Sequence, residues 1–178
     1  MEIRKLSLED LNRDLPEVFK QKSKVSLFFV ADHIRSGHNI GALFRIADAF
    51  SFSKIYICGY SFELNHPEVQ KTALGATETI TWEYYKDTLE CILALKKEGV
   101  KIIGIEQTNQ SIELQNFSIS PNESYALILG NEVKGISNEI LSTVDYFIEI
   151  PQHGTKHSLN VSVAAGIVAW EFIKKMKT

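Results

Sequence analysis

The sequence predicts an α/β fold, with a mostly parallel sheet and helices on both faces. Two observations carry that reading. Short, continuously apolar runs alternate with amphipathic helical stretches, and strands covered on both faces are expected to be apolar throughout rather than on every second residue. The polar, glycine-bearing segments follow directly after those runs, where open α/β sheets hold their ligands. The chain has 178 residues, 44% hydrophobic and 23% charged, which fits one globular domain. Its folded surface is expected to be about 8,700 Å², against about 29,000 Å² unfolded, so no metal or disulfide staple is required.

In chain order, residues 7–21 read as a helix that Pro16 kinks or splits. Residues 1–24 are therefore taken as an N-terminal helical extension. VSLFFVA (25–31) is a buried strand, and 39–52 is a helix with Ile40, Leu43, Phe44 and Ala47 on one face. KIYICGY (54–60) is a strand, and TETITW (77–82) is a weaker one. Residues 86–98 form an amphipathic helix stopped by Gly99. VKIIGIE (100–106), YALILG (125–130) and DYFIEI (145–150) are strands, and 136–143 is a short helix. Residues 159–176 form the last helix, with Leu159, Val163, Ile167 and Trp170 along one stripe.

The net charge is −3, which does not point to nucleic acid. Its distribution is more informative: residues 61–123 hold five basic and ten acidic side chains, so the remainder is weakly basic. A basic face opposite an acidic one is one reading, and an evenly solvated surface is the other. Cys58 and Cys91 lie in unrelated surroundings, without metal spacing or a CxxC pair, and read as reduced core fillers. No apolar run reaches a membrane span and the first residues lack a signal-peptide core, so a cytoplasmic location is expected, with no membrane partner. His153 and His157 are four apart, but Gly154 between them argues for loop, and no metal is expected. The sequence contains no GxGxxG, GxxxxGK[ST] or GxSxG, which removes ordinary dinucleotide, P-loop and α/β-hydrolase chemistry.

Three polar turns remain. In HNIGALFR, Asn39 stands where a helix N-cap belongs, and Arg45, one and a half turns later among apolar neighbours, needs either solvent or an anionic acceptor such as phosphate. In LILGNEVKG, Gly130 gives a ligand access to backbone at a strand end, and Glu132 is placed to bind a hydroxyl or to orient Arg45, unless it serves only the turn. In IPQHGTKHSLNVS, Ser158 is a natural N-cap at a helix end that attracts anions, and Asn160 is a neutral amide inside an apolar run.

Taken in order, NIGALFR, LILGNEVKGIS and IPQHGTKHSLNVSVAAGIVAWE resemble the three motifs of the SpoU/TrmH branch of the SPOUT RNA methyltransferases, over about residues 25–173. HPEVQKTALGATE resembles the family's Gly-Ala segment more weakly. The resemblance implies that 25–178 is a SPOUT-like domain with a C-terminal trefoil knot, which general topology rules would disfavour. It implies methylation of a ribose 2′-hydroxyl in tRNA or rRNA with S-adenosyl-L-methionine as cofactor, by a homodimer. It places the cofactor against Gly130, Ile150 and Leu159, and the catalytic positions at Asn39, Arg45, Glu132, Ser158 and Asn160. Val133 stands where glycine is common and Gln152 where methionine is common. The family proposal makes Arg45 a general base. A guanidinium holds its proton to a pKa above about 12, so a grip on phosphate and on the developing alkoxide stays open beside it. Two other classes also stay open: a noncatalytic RNA-binding protein of this fold, and another nucleotide-using α/β enzyme.

Overall fold

A computed structural model describes residues 3–7, 9–60 and 63–177. The elements run α1 (Pro16–Gln21), β1 (Val25–Asp32), α2 (Gly37–Ala49), β2 (Phe52–Cys58), α3 (Pro67–Ala73), α4 (Ala76–Thr79), β3 (Trp82–Tyr85), α5 (Thr88–Lys97), β4 (Lys101–Ile105), β5 (Ile112–Glu113), β6 (Tyr125–Leu129), β7 (Tyr146–Glu149) and α6 (Val161–Met176). Short 3-10 segments cover Leu114–Asn116 and Asn138–Thr143. Among the described residues the sheet has the order β3-β2-β1-β6-β4-β7-β5. Every neighbouring pair is parallel, as the apolar runs predict.

Successive side chains on a strand point to opposite faces, and both faces are covered. Leu27, Phe29 and Ala31 of β1 join Ile40, Leu43, Phe44 and Ala47 of α2 and Ala165, Val168, Ala169 and Phe172 of α6 in one cluster. Val30 of the same strand turns to the other face, with Cys91, Ile92 and Leu95 of α5 and Ile102, Ala126 and Ile128. Fully burying each large side chain contributes about 1.5–3 kcal/mol. β6 lies between β1 and β4, so the turn after it stands between the turns after those two strands.

Several expectations need correction. Among the described residues of this span, 7 and 9–21, there is no kinked or split helix running its length: Pro16 opens the six-residue α1, after Leu15 in extended conformation. Proline fits the first helical position, where its missing N–H is not needed, and it drives the preceding residue out of the helical region. TETITW is not the strand. Thr79 turns back to donate to Ala76 O and to Asp48 Oδ2 of α2, Ile80 is buried, and Trp82–Tyr85 instead supply the ladder along Ile55–Cys58. Cys58 and Cys91 are not in unrelated surroundings but meet in the second cluster as free buried thiols. The adjacent Cys91, and then burial, push the Cys58 thiol far above its ordinary range.

Candidate active site

The turns after β1, β4, β6 and β7 converge at the carboxyl edge of the sheet. The Glu132 carboxylate reaches back from the turn after β6 and accepts from Arg35 N and Ser36 N, each at 3.0 Å, and from Asn39 Nδ2 at 2.9 Å. Asn39 Oδ1 in turn accepts from Asn160 Nδ2 at 3.1 Å. Asn160 Oδ1 caps α6, accepting from Ser162 N and Val163 N. One hydrogen-bonded line therefore runs through all three polar turns. Burial pushes the Glu132 carboxyl up, but the donors from Arg35, Asn39 and Ser36 outweigh it and hold the group below its ordinary 4.5.

A cavity of about 740 Å³ opens beside this line, a size suited to a small-molecule cofactor. Gly130, Ile150 and Leu159 all line it, as do Glu132, Ser158 and Asn160. A Cβ on Gly130 would collide with the Gly135 carbonyl carbon and Ile136 N, so the turn can fold back against the strand end only over a glycine. Gln107 Nε2 donates to His157 O at 2.9 Å and ties the turn after β4 to the loop before α6.

The chain matches the SpoU rRNA Methylase family over residues 26–170. It belongs to that methyltransferase family. The tRNA (guanosine(18)-2′-O)-methyltransferase of Aquifex aeolicus is 29% identical over 167 residues, which is 93% of this chain and 77% of that relative. The 23S rRNA (guanosine-2′-O-)-methyltransferase RlmB of Neisseria meningitidis is 31% identical over 157 residues, 88% of this chain and 62% of that relative. The crystal structure of the A. aeolicus TrmH/SpoU tRNA modifying enzyme superposes with a TM-score of 0.78 at 27% identity, covering 91% of this chain and 80% of that one. The SpoU methyltransferase AviRb of Streptomyces viridochromogenes, solved with AdoMet, shares the fold at a TM-score of 0.77 and 21% identity, covering 90% of this chain and 62% of that one.

Within this SpoU chain the expected residues divide. Asn39, Glu132 and Asn160 are joined by hydrogen bonds. Ser158 lies exposed in the cavity rim and is not the cap, because Asn160 presents the oxygen that accepts from Ser162 N and Val163 N in the first turn of α6. Asn39 is not a cap either: Ser36 Oγ accepts from Asn39 N, which frees the Asn39 amide to face Glu132 and Asn160. Arg45 is exposed on α2, outside the cavity wall, and has no hydrogen-bond or ion-pair partner among the described residues. The solvent reading of Arg45 is therefore the one that holds within a single chain.

Sequence reasoning missed three residues of the framework. Asp32 is fully buried and accepts from Thr88 Oγ1 at 2.6 Å and Ser137 N at 2.8 Å. Glu106 accepts from Ile136 N at 3.1 Å. Asn131 donates to His33 O at 2.8 Å while its own oxygen accepts from Val133 N and Lys134 N. The first two share a readable signal, a carboxylate as the first polar residue after an apolar strand. Among the described residues no cluster of metal-ligating side chains occurs, and no helix is long and apolar enough to cross a membrane.

Proposed function

We propose that the protein transfers a methyl group from S-adenosyl-L-methionine to a ribose 2′-hydroxyl of tRNA or rRNA, with the cofactor held in the cavity between the turns after β4, β6 and β7. The single observation behind this is the hydrogen-bonded line from Glu132 through Asn39 to Asn160 along the rim of a cofactor-sized cavity. The donor set fits the group. Ile105, Leu129, Ile148 and Ile150 offer apolar contact to an adenosine, and the backbone of 130–136 and 157–160 offers donors and acceptors. When bound, the cofactor supplies an electrophilic methyl, so the protein's task is to align the hydroxyl and to help it lose its proton.

Asn39 and Asn160 hold the two turns in register, and Glu132 fixes the turn after β1 against them. Arg45 grips the RNA phosphate and stabilises the developing alkoxide; no carboxylate among the described residues competes for its guanidinium. Because Arg45 lies outside the cavity of its own chain, the reading includes a homodimer that brings it to the pocket of a second copy. Val163, Ile167 and Trp170 of α6 support this. They form an apolar stripe left 40–57% exposed, while α6 buries Ala165, Val168, Ala169, Phe172 and Ile173; Leu159, expected on the same stripe, precedes the helix and lines the cavity. The trefoil knot, the one-domain division with residues 1–24 as an extension, and a cytoplasmic location belong to the same reading. The knot is consistent with β6 and β7 each entering the sheet between earlier strands. Arg45→Ala should bind the cofactor normally and transfer methyl far more slowly. Near-native transfer by that variant would overturn the role of Arg45.

A further inference from the structure

Glu106 directly follows β4 and lines the cavity, yet neither the hydrogen-bonded line nor the RNA contacts proposed above make use of it. Its two oxygens accept only from neutral backbone: Oε2 from Ile136 N and Oε1 from Gln107 N, both at 3.1 Å. Among the described residues no lysine or arginine pairs with it. The carboxylate packs against Gly135, whose φ is +69° and whose missing Cβ leaves the room that Oε2 occupies. The turn is thus built around an acidic group with no cationic partner among the described residues.

The other acids of the cavity are differently engaged. Glu132 is taken up by three N–H donors from residues 35–39. Glu149 accepts from Ser111 Oγ at 3.0 Å. The lining contains one lysine, Lys134, and one histidine, His157, against these three carboxylates. With apolar Ile105, Leu129 and Ile148 as its wall, the cavity screens charge less than water does.

We infer that Glu106 is a specificity-determining residue, which makes the cavity prefer the cationic sulfonium donor over the neutral thioether left after transfer. The inference rests on the cofactor placement proposed above. Its physical content is a difference between two ligands of nearly equal shape, one carrying a positive sulfur and one not. A carboxylate in the wall favours the first and does little for the second. Positive charge leaves sulfur during transfer, so the same carboxylate helps binding of the donor without helping the chemical step.

The test is calorimetric titration of wild-type protein, Glu106→Gln and Glu106→Asp with S-adenosylmethionine and, separately, with S-adenosylhomocysteine. Glutamine keeps an oxygen for Ile136 N and removes the charge together with the acceptor for Gln107 N, a local loss that both ligands would feel alike. It should weaken binding of the sulfonium about tenfold, equivalent to 1.4 kcal/mol, and leave the thioether within twofold. Glu106→Asp, with the charge restored, should retain the preference. In turnover, Glu106→Gln should raise KM for the donor without lowering kcat. Equal weakening of both ligands, or no change in either, would overturn the inference and leave Glu106 a structural acceptor. Wild-type protein that binds neither ligand would overturn the cavity assignment together with it.

Discussion

Glu132, Asn39 and Asn160 show how much one hydrogen bond can report. The Glu132 carboxyl sits below its ordinary value, so its ionised form contributes stability that is fully present above about pH 4.5 and lost as pH falls through the lowered folded value. Urea titrations of wild-type protein and Glu132→Gln should therefore show a gap at pH 7 that narrows as the pH is taken below 4.5; a gap independent of pH would contradict the assignment. Asn39 and Asn160 touch directly, and a double-mutant cycle with alanine at each should return a coupling of about 0.5–1.5 kcal/mol. Additive losses would mean the two turns are not joined. Arg45→Ala should lower methyl transfer about 10²–10³-fold, the size of effect seen when one group stabilising a developing oxyanion is removed, with donor affinity unchanged within twofold. Residue identities were legible in the sequence, but local roles were less so. SLN offers two good caps in three residues, and only the path of the loop decides that Asn160 wins. Asp32 was overlooked because a carboxylate at a strand end looks like the start of a solvated loop, while its two partners, Thr88 and Ser137, lie 56 and 105 residues away.

At the level of elements, the strands that pack on both faces were the readable ones. Val25–Asp32, Phe52–Cys58, Lys101–Ile105 and Tyr125–Leu129 lie within a residue or two of their apolar runs. The edge was harder to read. TETITW has strand-like residues, but Thr79 is drawn to Asp48 of α2, and no local pattern records that partner. The α6 stripe is the most informative discrepancy. Its spacing shows that an apolar face exists without showing what covers it; among the described residues the Phe50 ring meets Trp170, and the stripe stays partly exposed. Replacing Ile167 with glutamate should convert a dimer to a monomer in sedimentation, with helical circular dichroism retained. Unchanged mass would remove the stripe from the interface. Gly130→Val closes the turn after β6 against Gly135 and Ile136; the expected outcome is loss of measurable donor binding, and strain from overpacking of about 1–3 kcal/mol. Donor binding that survives this change would place the cofactor elsewhere.

The whole molecule exposes 10,827 Å², about a quarter more than the scaling relation gives for a compact monomer of this mass. The first residues contribute through exposed Ile3, Leu6, Leu15 and Val18, and the α6 stripe adds to it. The proposed homodimer, which would bury the stripe and bring Arg45 to the cavity of the second copy, predicts activity shared between copies. Mixing Arg45→Ala with Gly130→Val protein should restore transfer that neither has alone, because the hybrid joins an intact cavity to an intact arginine. Failure of the mixture, with hybrid formation verified, would confine the site to one chain.

The most direct measurement is incubation of the protein with methyl-labelled S-adenosylmethionine and total RNA, followed by digestion to nucleosides. The account predicts label on 2′-O-methylribose, lost in both Arg45→Ala and Gly130→Val. Label on a base, or no label from protein that binds the donor normally, would contradict it.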